Sequence, residues 1–194
     1  MNFRCIVFLC LPIFFLLACA HTPPASQIFT RPAQAELSSF VISGRIAIKH
    51  NGQRTSATMR WTHGAGADEI LLFAPLGQTV ARINRDNQGV TLDTSDKHYT
   101  ALSTEELTQQ VLGWSMPLSG LQYWALAVPS PLGEYSVERD ASSQITALYQ
   151  DGWAINYTHY ATPAQDSLPL RLTLQRADLE IRLLIDQWEI PSQH

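Results

Sequence analysis

From Phe40 onward, apolar and polar residues alternate in short blocks. Phe40, Ile42, Gly44, Ile46 and Ile48 share one side of the chain, and Val41, Ser43, Arg45, Ala47 and Lys49 the other. A period of two marks a strand with one buried face. His50-Asn51-Gly52 is a hairpin signal, and beyond it Ala57, Met59 and Trp61 alternate with Ser56, Thr58, Arg60 and Thr62, so these two strands should pair. His63 to Asp68 is read as the next turn. Glu69 to Ile83 then supplies two strands that meet at Pro75-Leu76-Gly77, where proline presets a turn and glycine permits positive φ. Val90 to Leu92 and Lys97 to Ala101 flank another polar turn, which extends the antiparallel meander to five or six strands.

The period then changes. Ser103-Thr104-Glu105-Glu106 fits a capping box, with Ser103 as N-cap and Glu106 reaching back; Leu107 and Val111 follow at helical spacing until Gly113. Glu105 and Glu106 also complement the helix dipole. Pro117-Leu118-Ser119-Gly120 opens a second helix in which Leu121, Trp124 and Ala125 share a face, with Pro129-Ser130-Pro131 as its stop. Two short amphipathic helices between blocks of strands are the pattern of a lid on a curved sheet.

Alternation returns after Pro131. Tyr135 and Val137 come first, then Ile145, Ala147 and Tyr149. Trp153, Ile155 and Tyr157 follow on one face, and Leu168, Leu170, Leu172 and Leu174 on another. Leu179, Ile181, Leu183 and Ile185 close the series; Trp188 falls out of their register, which predicts a bulge near Leu184. The expected fold is therefore mainly β with two or three short helices and ten or eleven antiparallel strands. The five tryptophans suggest a broad apolar interior, and a sheet too wide to close leaves a cavity between itself and its helices.

The amino terminus differs in kind. Met1-Asn2-Phe3-Arg4 carries one positive charge before an apolar run from Cys5 to Ala18, too short and too interrupted at Pro12 to span a bilayer stably. Leu16-Leu17-Ala18-Cys19 resembles the lipobox of bacterial lipoproteins, which implies a signal peptide over 1–18 and acylation of Cys19. Cys5 and Cys10 lie in the discarded segment, so the mature chain has no partner for a disulfide. Ala20 in place of aspartate after the cysteine resembles an outer-membrane address. Residues 19–36, rich in Pro, Ala, Ser, Thr and Gln, read as a lipidated flexible tether, and residues 37–194 as one domain.

Without Arg4 the mature chain has 12 basic side chains against 17 acidic ones, with two lysines, Lys49 and Lys97. That balance argues against a nucleic-acid surface and against a polybasic membrane patch. The six histidines show no paired metal-ligand spacing, so no metal is indicated. No nucleophile elbow, phosphate-cradling loop or motif-bearing carboxylate pair stands out, and the reading is of a binding protein without a cofactor, not an enzyme. A leucine at a hairpin tip has a plain explanation, since such residues often fold back onto their own strands.

Gly44-Arg45-Ile46-Ala47-Ile48, Trp61, Pro75-Leu76-Gly77, Gly113 to Leu121 with Trp124, Gly152 to Tyr157, Leu168-Pro169 and Trp188, in that order behind a lipobox, resemble the LolB family of outer-membrane lipoprotein receptors. The chain departs from that family at Ala127-Val128-Pro129, where Gly-x-Pro is common. The resemblance implies an unclosed antiparallel half-barrel with a helical lid. It implies a monomer on the periplasmic face of the outer membrane, held through Cys19, that accepts acylated lipoproteins from the carrier LolA and hands them to membrane lipid. Leu76, flanked by Pro75 and Gly77, matches the family's protruding leucine and would help deliver cargo. Ile46, Met59, Trp61, Leu72, Leu121, Trp124, Ile155 and Leu172 are the residues expected to line the acyl-chain cavity. The alternatives are a lipid-anchored, lipocalin-like carrier of a small apolar ligand, a structural outer-membrane lipoprotein and, last, an esterase.

Overall fold

The computed structural model describes residue 34 and residues 37–191. The signal segment, the tether apart from Gln34, and Cys19 lie outside the described residues. The first meander runs through β1 (Phe40–His50), β2 (Gln53–Gly64), β3 (Ala67–Phe73), β4 (Thr79–Arg85), β5 (Val90–Thr94) and β6 (His98–Ala101). Helices α1 (Thr104–Leu112) and α2 (Leu118–Trp124) follow. The second meander comprises β7 (Tyr135–Arg139), β8 (Ile145–Gln150), β9 (Trp153–Tyr160), β10 (Pro169–Arg176) and β11 (Leu179–Glu189).

One eleven-stranded sheet results, in the order β6-β5-β4-β3-β2-β1-β11-β10-β9-β8-β7. The two meanders join where β11 pairs antiparallel with β1. The outermost strands, β6 and β7, do not pair with each other, so the sheet is unclosed as expected, and the chain between them carries both helices. A twisted sheet of this width curls instead of lying flat. One face carries Ile42, Ile46, Met59, Trp61, Ile155 and Leu172, which join Leu107, Leu118, Leu121 and Trp124 of the helices in a single apolar core.

Several local expectations are corrected. The turn after β2 is shorter than 63–68: His63 and Asp68 are a directly opposed β2–β3 pair, and Ala67 already faces Gly64. The bulge expected near Leu184 is present, at Asp186, because Gln187 pairs with Ser43 while Ile185 pairs with Gly44. Gly44 sits there because a Cβ would strike the backbone carbonyl of Leu184. On β8, Ile145 opposes Arg139 and Ala147 opposes Glu138, so Thr146 is an extra residue that resets the alternation. Leu148 and Gln150 consequently turn inward and Tyr149 outward.

The cap of α1 forms with one change. Ser103 Oγ accepts from the Glu106 backbone N–H at 3.1 Å, but the Glu106 carboxylate accepts from the N–H of Leu102, one residue earlier than the capping box predicts. Gly113 ends the helix in the left-handed region. Helix α2 stops at Trp124, well before Pro129; Ala127, with φ of 56°, turns the chain away.

Candidate functional site

The hairpin between β3 and β4 closes through two backbone hydrogen bonds, Gly77 N–H to Ala74 O and Ala74 N–H to Gln78 O, each 2.8 Å. Gly77 takes φ of 83°, open to glycine at little steric cost, and Pro75 restricts the other side of the turn. Leu76 stands on this braced loop with 87% of its surface exposed. The alternative in which it folds back onto its own strands is not the observed conformation. A register shift beside Phe73 makes Val80 an extra residue, and Val80 is exposed as well, so the tip is apolar beyond one side chain.

All eight residues expected to line an acyl-chain cavity belong to the core between sheet and helices. Seven are buried, Trp61, Leu121, Ile155 and Leu172 completely, and Leu72 is half-buried. Within this core Trp124 packs at 6.3 Å from Trp153, and Phe40 meets Trp61 edge-on at 5.1 Å. Gly120 permits the fit, since a Cβ would come within 2.5 Å of the Trp124 ring.

Polar fastenings that the sequence reading missed hold the helices to the sheet. The buried Asp68 carboxylate accepts from Trp61 Nε1 at 2.7 Å, meets His63 Nδ1 at 2.7 Å, and accepts from Arg85 Nε at 2.6 Å. Burial pushes this carboxyl up, but hydrogen bonds from His63 and Trp61 and then the charges of His63 and Arg85 outweigh it, leaving its pKa below the ordinary value. Arg85 continues to Gln122 Oε1 on α2 at 3.4 Å. Two residues further along α2, Trp124 Nε1 donates to Gln150 Oε1 at 2.9 Å, and Tyr157 Oη donates to the Trp124 carbonyl at 2.8 Å. Burial, then the neighbouring Tyr160, raises the Tyr157 phenol well above its usual pKa, so it remains a donor. Helix α1 is tied to α2 by Glu105, whose carboxylate accepts from the Ser119 hydroxyl at 2.8 Å. The opposed positions of His63 and Asp68 were the available signal, concealed by the reading of both as turn residues.

Among the described residues no group of His, Cys, Asp or Glu is arranged to hold a metal ion, and no helix is long and apolar enough to cross a membrane. The family model for the outer membrane lipoprotein LolB matches residues 38–188. The chain belongs to the LolB family. The outer-membrane lipoprotein LolB of Nitrosomonas europaea is 39% identical over 90% of this chain and 87% of its own length. That of Thiobacillus denitrificans is 37% identical over 88% and 90%. A solved LolA-superfamily structure from Nitrosomonas europaea covers 82% of this chain and 89% of its own at 8% identity, with a TM-score of 0.45; the fold rests on the strand order above and not on that likeness. As a LolB-family protein the chain is an outer-membrane lipoprotein. Ala127, in the stretch where the sequence departs from the expected Gly-x-Pro, takes a positive φ.

Proposed function

We propose that this protein, anchored through acylated Cys19 in the outer membrane, receives acylated lipoproteins from the periplasmic carrier LolA and places their acyl chains in the membrane. The observation that carries this reading is Leu76, an aliphatic side chain 87% exposed on a hydrogen-bonded turn of a LolB-family chain. An apolar side chain held in water gains by entering a bilayer interface.

The physical requirement is to move several acyl chains without wetting them. At about 0.8 kcal/mol per methylene, tens of methylenes oppose release into water by tens of kcal/mol as an upper bound, so transfer runs from one apolar shelter to another. The shelter is the space between sheet and helices, bordered by Ile46, Met59, Trp61, Leu72, Leu121, Trp124, Ile155 and Leu172. In this reading α1 and α2 lift to admit the acyl chains. Side-chain hydrogen bonds, not a shared backbone ladder, join α2 to the sheet, which supports such a movement. Direction follows if the receptor binds the chains more tightly than the carrier does, with no nucleotide involved.

Transfer from loaded LolA to a soluble form lacking Cys19, followed by delivery to vesicles, tests the reading. Acceptance without nucleotide and vesicle delivery that depends on Leu76 are expected. Failure to accept acylated cargo would overturn it.

A further inference from the structure

Arg54 and Lys49 lie directly opposite one another in the β1–β2 pair, and Lys49 in turn opposes Glu180 across β1–β11. All three project on the side of the sheet facing away from the core, as does Arg182 two residues along β11. Like charges opposed on neighbouring strands are within about 5 Å of each other at Cβ and destabilise the pair. Glu180 only partly offsets them, because its carboxylate already accepts from Arg182 Nε at 2.8 Å and from Gln175 Nε2 at 3.0 Å. Among the described residues Arg54 has no hydrogen bond or ion pair. Lys49, Arg54, Glu180 and Arg182 border one shallow groove, and an adjoining groove shares Ala47, Ser56 and Arg182 with it and reaches Phe73 and Pro75. The groove beside the cationic strip thus extends to Phe73 and Pro75, at the base of the loop that carries Leu76.

We propose that Lys49, Arg54 and Arg182 form a docking strip for the phosphate headgroups of anionic lipid in the membrane that Leu76 enters. The orientation rests on the reading of Leu76 as the insertion tip. A mature chain with 12 basic against 17 acidic side chains is repelled overall by an anionic surface, so gathering cations beside the tip sets which side approaches. Lipid is favoured over an acidic protein face because the strip adjoins an exposed aliphatic tip, the combination that interfacial membrane contacts use.

The test uses the soluble form lacking Cys19, which retains every described residue, with vesicles of phosphatidylcholine alone or mixed with phosphatidylglycerol. The unsubstituted chain is expected to prefer the anionic vesicles and to lose that preference in high salt. Lys49→Gln with Arg54→Gln should weaken binding to anionic vesicles by roughly fivefold per cation and leave binding to pure phosphatidylcholine unchanged. Leu76→Glu should weaken binding to both. No anionic preference in the unsubstituted chain, or a preference that survives the double substitution, overturns the proposal. If the double variant binds vesicles normally but accepts cargo slowly from a loaded carrier, the strip meets an acidic protein and the proposal fails. If Leu76→Glu binds like the unsubstituted chain while the double variant loses its preference, the strip stands and the insertion-tip reading falls.

Discussion

Trp61 Nε1 donates to Asp68 Oδ1 at 2.7 Å, fixing a buried carboxylate against the sheet one step from the arginine that reaches α2. Replacing Asp68 by asparagine removes the charge facing Arg85 and is expected to destabilise the protein by about 2–4 kcal/mol in urea unfolding. The carboxyl's pKa is lowered in the folded state. Its stabilising contribution is therefore complete above the ordinary carboxylate pKa of about 3.9 and is lost as pH falls through the lower folded value. Stability measured below about pH 4 should fall less steeply in Asp68→Asn than in the unsubstituted chain.

Gln150 satisfies four groups around the end of α2: it accepts from Trp124 Nε1 and the Ser130 N–H, and donates to the Ser130 and Leu132 carbonyls. Gln150→Leu strands them in a buried site at a cost of about 3 kcal/mol, and Trp124 emission should report a loosened helix.

Ala127 occupies a left-handed backbone conformation that costs a non-glycine residue roughly 1 kcal/mol. Restoring the family's glycine with Ala127→Gly relieves that strain but exposes the unfolded chain to more freedom and removes a buried methyl. A net gain of about 0.5 kcal/mol is expected, read as a rise in the urea midpoint.

Gly44→Ala places a methyl against the Leu184 carbonyl oxygen and within 3.0 Å of Ile185 Cα. Both are backbone atoms beside a bulge and cannot swing aside. A loss of about 2–3 kcal/mol is expected, whereas Gly64→Ala, with nothing within 4 Å, should stay within about 0.5 kcal/mol.

Leu76 makes no core contact, so Leu76→Ala and Leu76→Glu should each change unfolding free energy by less than about 0.5 kcal/mol. Acceptance of cargo should persist in both. Delivery to vesicles should fall modestly in the alanine variant and severely in the glutamate variant, because a charge resists the bilayer interface. Equal delivery by all three chains would remove Leu76 from the mechanism.

Strands were legible wherever burial follows a strict period of two, as in Trp153, Ile155 and Tyr157, which all face the core. Bulges defeated the same reading at Tyr149, where one extra residue at Thr146 turned an apparently inward aromatic outward. The tip was legible because Pro75 and Gly77 encode its turn locally. The eight proposed shelter residues belong to or pack on the apolar core, but periodicity carries no information on whether facing side chains leave a void or interlock.

Local chemistry in the sequence by itself determined the strands, the capped helix and the apolar turn around Leu76, because each depends on residues close together in the chain. Tertiary structure alone decided that β11 closes onto β1, that Asp68 and Gln150 fasten the helices, and that Lys49, Arg54 and Arg182 border one groove. An overall acidic composition averages charge over the whole chain, whereas a membrane surface responds only to charges within about a Debye length, and strand pairing sets which those are.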